Sequence, residues 1–108
     1  MIQALNMNNI DHTSQLISVI NGTTAKAVYD IRTCPTFCFE GAINRRWQIL
    51  TLLETKGITY KPVKEIPLDI DGQSLIFFDQ PKDLEALRGL FSDIKDATKL
   101  ELNAQEIS

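Results

Sequence analysis

The clearest pattern of hydrophobic and polar positions lies in Ala42–Lys56, which reads AINRRWQILTLLETK. At 100° per residue, its apolar side chains fall within one broad arc and most of its polar side chains lie opposite. The members of the arc are Ala42, Ile43, Trp47, Ile49, Leu50 and Leu53. Gly57 follows where a left-handed residue ends many helices, and Ile58 can fold back as the hydrophobic contact of a Schellman ending. The pattern predicts one long amphipathic helix, which the other segments cover.

Two residues of this helix have two interpretations each. Arg46 projects into the apolar arc, where its stem can lie along apolar surface while the guanidinium reaches water near the helix start. It can also be a buried or interface arginine that binds a carboxylate. Trp47 lies at the edge of the arc, so it is either a core residue or a ring partly exposed near Arg46 and Glu54.

The segment Ser14–Thr33 allows two structures. The pair Asn21-Gly22 between residues of high β-propensity is typical of a type I′ hairpin turn. The same pair can instead end a helix whose stripe contains Leu16, Ile17 and Ile20. Several β-branched residues before the turn favour the strand. After the turn, alternation predicts a half-buried strand, with Ala25, Ala27, Tyr29 and Ile31 facing inward and Lys26, Asp30 and Arg32 facing outward.

A second hairpin is predicted around Asp71-Gly72, another type I′ turn sequence. Alternating apolar residues precede it, and the two-residue loop sets the register. The predicted pairs are Ile70 with Gln73, Leu68 with Leu75 and Ile66 with Phe77. The strand after the turn is apolar on both faces, so we expect it inside the sheet. Pro62 and Pro67 confine the preceding strand segments to edges, ends or bulges.

A second helix is predicted over Pro81–Asp96, with Pro81 in its first turn and Asp79 or Gln80 as its cap. The element order is then approximately ββαββα. This order predicts a two-layer α+β domain, with both helices packed on one face of a mostly antiparallel sheet built from two hairpins. Residues 13–108 are expected to form one compact domain. We interpret residues 1–12 as a flexible N-terminal arm or a short helix, and residues 98–108 as a loose tail or a short edge strand.

Composition limits the classes of function. The chain has 108 residues, 44% of them hydrophobic, which is enough for one domain with a modest core. A net charge of −3 argues against non-specific nucleic-acid binding. The N-terminus lacks the basic and apolar regions of a signal peptide, and no apolar run is long enough to span a bilayer. We therefore expect a cytoplasmic protein with no membrane association.

Cys34 and Cys38 are the candidate catalytic residues. They follow a predicted strand and precede a helix, whose N-terminal amides lower thiol pKa values. From this turn through the helix ending at Gly57 to Pro67 and the last helix, the order of elements resembles that of the glutaredoxins, which carry a Cys-Pro-x-Cys turn. The resemblance implies a thiol-redox protein in which Cys34 is the nucleophile, Cys38 the resolving thiol and Pro67 a cis-proline facing them. The motif here, Cys-Pro-x-x-Cys, has one residue more. The other interpretation is two small, semi-buried apolar side chains.

No other catalytic or metal-binding pattern is present in the sequence. No Ser, Cys or Asp lies at a spacing from His12 that would indicate general base catalysis. No spacing of possible ligands matches a zinc site. No cofactor is expected. What remains is a small, acidic, non-enzymatic domain that binds a protein partner, such as an inhibitor, immunity or adaptor protein, with a homodimer as an open possibility. The candidate binding residues are Phe39, Arg45, Arg46, Trp47, Glu54 and Tyr60, because Trp, Tyr and Arg often anchor interfaces.

Overall fold

Parallel strands form the sheet of this protein. The computed structural model describes residues 2–39, 41, 43–67, 70, 73–91 and the backbone of residues 95–96. Within these residues, five strands lie in the order β3-β2-β4-β1-β5, and every pairing between neighbours is parallel. The strands are β1 Gln3–Asn6, β2 Ala27–Asp30, β3 Thr59–Pro62, β4 Ser74–Phe78 and β5 Lys95–Asp96.

Helices cover both faces of this sheet. They are α1 Thr13–Gly22, α2 Arg46–Thr55 and α3 Pro81–Leu90, with a short 3-10 helix at Met7–Asn9. One apolar cluster joins α1 and α2 to Leu5, Val28, Leu75 and Phe77 of the strands. The other joins Leu87 of α3 to Ala4, Ile76 and Phe78. Because alternate residues of β1, β2 and β4 enter different clusters, the described part of the protein has three layers, with the sheet in the middle.

The predicted antiparallel sheet is therefore wrong, although the mixture of helices and strands is confirmed. Leu75 lies opposite Gln3 of β1 and Val28 of β2, not opposite Leu68, and Phe77 lies opposite Leu5 and Asp30, not opposite Ile66. The turn at Asp71-Gly72 is outside the described residues. Ile66 and Ile70 lie outside the strands and pack on the α3 side of the sheet. Their alternation reflects burial against a sheet face rather than strand pairing.

The strand expected before Asn21-Gly22 is a helix instead, and the pair forms its last turn. Leu16, Val19 and Ile20 are buried against the sheet. The Gln15 side chain caps the start of the helix. Its Oε1 atom accepts hydrogen bonds from the backbone N–H groups of Asp11 at 2.6 Å and His12 at 3.0 Å. Burial of a helical stripe thus outweighs the β-propensity of the branched residues.

The first residues of the chain contain a strand of the sheet rather than a free arm. β1 lies between β4 and β5, and Ala4 and Leu5 are fully buried. β4 is buried along its whole length between β1 and β2, as its two apolar faces predicted. β3 is the edge strand beside β2, in agreement with Pro62. The expected tail at 98–108 falls outside the described residues.

The ending predicted for the central helix is confirmed. Gly57 has φ +73°, its N–H donates to the Glu54 carbonyl at 3.0 Å, and the Ile58 N–H donates to the Leu53 carbonyl at 2.9 Å. These bonds make a Schellman motif. The helix begins later than predicted, at Arg46 instead of Ala42, so Ile43 lies outside it and is 63% exposed. Helix α3 begins at Pro81 as predicted but ends at Leu90, and Lys95–Asp96, expected in this helix, pairs with β1 instead.

Candidate functional site

Trp47 is the most prominent exposed feature of the described residues. It is 80% exposed, although it is the single tryptophan of the chain. Residues three and four apart are neighbours on a helix, so Arg46, Trp47, Leu50 and Glu54 share one flank of α2. The buried flank carries Ile49 and Leu53. We call the exposed flank, together with Tyr60 of β3, the α2–β3 face.

A cleft lies within this face, between α2 and the edge strand. Its volume is about 430 Å³. Leu50, Leu53 and Ile58 provide its apolar wall, and Glu54, Thr59 and Tyr60 are its polar members. An open cleft with a few polar groups is a general property of binding sites.

Arg46 connects the helix to the strand across this face. Its guanidinium carbon lies 5.7 Å from the centre of the Tyr60 ring, a cation–π distance, and the residue is exposed. Its stem therefore lies along the surface while its charge reaches water, as in the first interpretation of the sequence. The structure thus brings together four of the predicted binding residues: Arg46, Trp47, Glu54 and Tyr60.

The buried arginine that binds a carboxylate is Arg32, not Arg46. Its Nε and Nη2 atoms donate to the two carboxylate oxygens of Asp30 at 2.8 and 2.7 Å. Asp30 is fully buried at the carboxyl end of β2, and the Tyr60 hydroxyl donates to its Oδ2 atom at 2.6 Å. The prediction that Asp30 and Arg32 face outward is wrong. In a sheet covered on both faces, neither side of a central strand is left for solvent.

Tyr60 is chemically perturbed by this arrangement. Burial of its ring, with the hydrogen bond to the Asp30 carboxylate and the negative charge of that group, raises the pKa of Tyr60 to about 12. The positive charge of Arg32 and a hydrogen bond from Arg46 act in the opposite direction. Tyr60 is therefore a neutral hydrogen-bond donor at physiological pH, so its ring is fixed on the α2–β3 face.

The loop between β2 and α2 is attached to this network through Phe37. The Arg32 guanidinium lies 4.9 Å from the Phe37 ring and donates to the Thr36 carbonyl at 2.7 Å. The Phe37 N–H donates to the Asn44 side chain at 3.1 Å, and its carbonyl accepts from the Arg45 N–H at 2.9 Å. The Asn44 side chain also accepts from the Arg46 N–H. The buried Phe37 therefore anchors both the loop and the start of α2.

The other two predicted binding residues belong to this loop and helix start. Phe39 is partly buried and packs edge-on against Phe37, with ring centres 6.2 Å apart. Arg45 is at the N-cap position of α2, makes no side-chain capping hydrogen bond, and is partly exposed. Both residues support the α2–β3 face from the side, and neither lines the cleft.

The cysteines lie in the same loop. Both are exposed, and neither is in a disulfide bond. Helix α2 begins eight residues after Cys38, so the helix end that the redox hypothesis relied on is distant in sequence. The peptide bond before Pro67 is trans, unlike the cis-proline that the glutaredoxin resemblance implies. The redox hypothesis stays a prediction, and the rate of thiol alkylation against pH in native protein and Cys34→Ser would decide it.

Other chemistry has less support in the described part of the chain. It contains no group of three or more His, Cys, Asp or Glu side chains arranged for a metal ion. His12 lies at the start of α1. No helix among these residues has the length and apolar character needed to cross a membrane.

Asp30, Arg32 and Phe37 belong to this network, although the sequence did not mark them as candidate site residues. Asp30 ends β2 and Arg32 follows two positions later, which places both side chains on one side of the chain. This spacing is a weak signal, because outward-facing charges have the same spacing.

Comparisons with protein-family models, curated proteins and solved structures give no match for this chain.

Proposed function

We propose that this chain is a protein-binding domain whose α2–β3 face docks on a partner protein, with Trp47 as the anchor. The observation that carries the proposal is the 80% exposure of Trp47, one helical turn before Leu50 of the cleft wall. Burying most of an indole ring removes roughly 150 Å² from water, which contributes on the order of 3–4 kcal/mol. A free monomer gains nothing from this exposure, whereas a complex that buries the ring gains this amount less the entropy cost of association.

The surroundings of Trp47 support the same function. Arg46, the residue before it, contacts the Tyr60 ring, and Trp, Tyr and Arg are the residue types that dominate binding energy at interfaces. Tyr60 is held by Asp30, and the start of α2 is held by Asn44 and Phe37. A face that is already ordered loses little conformational entropy on docking.

Position-specific crosslinking tests the proposal. A photo-crosslinking amino acid replaces Trp47 in one version of the protein and Gln48 in another, and both are irradiated in the producing cells. Gln48 is exposed and adjacent, but 100° per residue turns it away from the α2–β3 face. We expect one discrete adduct from position 47 and none from position 48. Equal adducts from both positions, or none from either, would contradict the proposal.

The partner identified from that adduct then allows a quantitative test. Trp47→Ala is expected to weaken binding of the purified partner by at least about tenfold, since anchor residues typically contribute 2 kcal/mol or more. Gln48→Ala is the matched control and should leave the Kd unchanged. Circular dichroism of both variants confirms that the fold is retained.

A further inference from the structure

The α2–β3 face carries a positive charge at one end of α2 and a negative charge at the other. Arg46 lies at the start of the exposed flank of α2 and Glu54 near its end, while Leu50 lies midway and lines the cleft. A rise of about 1.5 Å per residue separates Arg46 and Glu54 by about 12 Å along the helix. The face therefore presents a positive group, an apolar cleft and a negative group in line.

We propose that the partner presents an extended segment with an acidic, an apolar and a basic residue at alternate positions, in the pattern acidic-x-apolar-x-basic. This inference rests on the proposed function. An extended chain rises about 3.3 Å per residue, so four residue steps cover the distance from Arg46 to Glu54. Alternate side chains point to the same side, so all three reach the face together.

The cleft suits the central apolar residue. Its volume of about 430 Å³ is within the range of roughly 300–1,000 Å³ for ligand clefts, which is ample for one bulky side chain. Leu50, Leu53 and Ile58 supply the apolar contacts. Trp47, on the open side of the flank, can cover the segment from outside.

Arg46 is an exposed cation of this face that can pair with a partner's carboxylate. Its guanidinium is exposed and rests over the Tyr60 ring, whereas the guanidinium of Arg32 is buried and already bound to Asp30. A charge held in place over a ring loses less rotamer freedom when it pairs.

The charge of the whole chain favours an acidic partner at this face. Residues 43–67, which contain α2 and β3, have five basic and two acidic side chains, a net charge of +3. The rest of the chain has six basic and twelve acidic side chains, a net charge of −6. An acidic segment is therefore attracted to this region and repelled elsewhere. Further acidic residues are expected to flank the pattern.

The backbone edge of β3 adds little to recognition. The N–H groups of Thr59 and Val63 donate to the carbonyls of Lys26 and Asp30, so those of the alternate residues point outward. Of these, Pro62 has no N–H, which leaves Tyr60 as the outward donor of the strand. Side chains rather than an added strand must therefore specify the segment.

Synthetic peptides test the pattern. The probe is Glu-Ser-Leu-Ser-Lys between Gly-Ser flanks, titrated into isotope-labelled protein while amide chemical shifts are recorded. We expect shifts centred on α2 and β3. Replacing the peptide's Leu by Ser, or its Glu by Lys, should weaken binding by at least about tenfold. Equal binding of all three peptides, shifts elsewhere, binding of none, or tighter binding of a single-stranded oligonucleotide would overturn the inference.

A charge reversal in the protein gives the sharpest control. Arg46→Glu should lose affinity for the probe and gain affinity for Lys-Ser-Leu-Ser-Lys. In this variant a glutamate lies at each end of the face, so each peptide lysine meets one carboxylate. Arg88→Glu, an exposed arginine on α3, should change neither affinity. Loss of both peptides with Arg46→Glu would contradict the proposed pairing.

The crosslinking results distinguish a failure of the docking function from a failure of the segment pattern. If position 47 crosslinks to a partner but the contacted segment lacks the pattern, the segment inference is wrong and the docking function stands. If the adduct at position 47 joins two copies of this chain, the face is a dimer interface and the segment inference is wrong. If position 47 gives no adduct, both are wrong.

Discussion

At the scale of single residues, the carboxylate of Asp30 is the central group. It is fully buried at the end of β2 and accepts hydrogen bonds from the Arg32 side chain, the Arg32 backbone and the Tyr60 hydroxyl. Burying such a pair costs desolvation energy that the attraction between the charges roughly offsets, so its net contribution to stability is small. Its effect is on geometry, because the bonds join the sheet, the β2–α2 loop and the edge strand.

Tyr60 gives a residue-scale prediction about pH. Its folded pKa of about 12 is above the ordinary value of 10.0, so the folded state holds the phenolic proton more tightly than the unfolded state. The stabilisation is fully present below pH 10 and is lost as the pH rises towards 12. We expect the free energy of unfolding, measured with urea, to fall more steeply over this window in the native sequence than in Tyr60→Phe.

The comparison with Tyr60→Phe removes the effect of lysines, which titrate in the same range. Tyr29→Phe is the second control and should keep the steep fall. Two identical slopes for the native sequence and Tyr60→Phe would show that the hydroxyl does not bind the carboxylate in solution.

Part of this site is predictable from the sequence. The exposure of Arg46 agrees with one of the two interpretations of its place in the apolar arc, whereas its contact with the Tyr60 ring is visible only in the structure. The ion pair does not follow from the sequence, because alternation in a strand marks two sides without saying that both are covered. Asp30 and Arg32 therefore read as solvent-facing charges, although Val28 on the same side is fully buried.

At the scale of elements, two glycines give predictions of opposite sign. Gly57 ends α2 with φ +73°, so Gly57→Ala should destabilise the protein by about 1 kcal/mol through backbone strain alone, since a Cβ there meets no atom within 4 Å. Gly89 lies in the last turn of α3, with equally open space around it. Gly89→Ala should stabilise by about 0.5–1 kcal/mol.

Urea unfolding followed by circular dichroism measures both changes. Each variant is the control for the other, because the same methyl group is added at an open position and only the backbone conformation differs. Stabilisation by Gly57→Ala would contradict the Schellman ending.

Elements with strong local signals were predicted correctly, and those defined by pairing were not. The ending of α2, the start of α3 at Pro81 and the interior position of β4 follow from capping residues, proline and a run of apolar residues. Asn21-Gly22 failed because turn residues also end helices, and burial of Leu16 and Ile20 selects the helix. The direction of strand pairing leaves no mark in a short strand.

At the scale of the whole molecule, the parallel sheet depends on residues far apart in sequence. β1 pairs with β4 and with β5, so the first strand holds the last part of the described fold together. Burial of Ile2 and Leu5 contributes roughly 3–6 kcal/mol, a large share of the 5–15 kcal/mol typical of a domain. We expect a chain lacking residues 1–6 to lose its cooperative thermal transition.

Calorimetry measures that transition directly. Asn9→Ala is the control, because Asn9 is exposed in the same segment and should leave the transition almost unchanged. A cooperative transition in the shortened chain, near that of the full chain, would mean that residues 1–6 are the flexible arm that the sequence allowed.

The exposure of the single tryptophan has a practical consequence. Indole fluorescence depends on contact with water, and Trp47 is already 80% exposed in the folded chain. Its emission spectrum and its quenching by acrylamide therefore change little when the protein unfolds, and they change strongly when the α2–β3 face is covered. The fluorescence of Trp47 is therefore expected to report the proposed docking directly and to be nearly insensitive to folding.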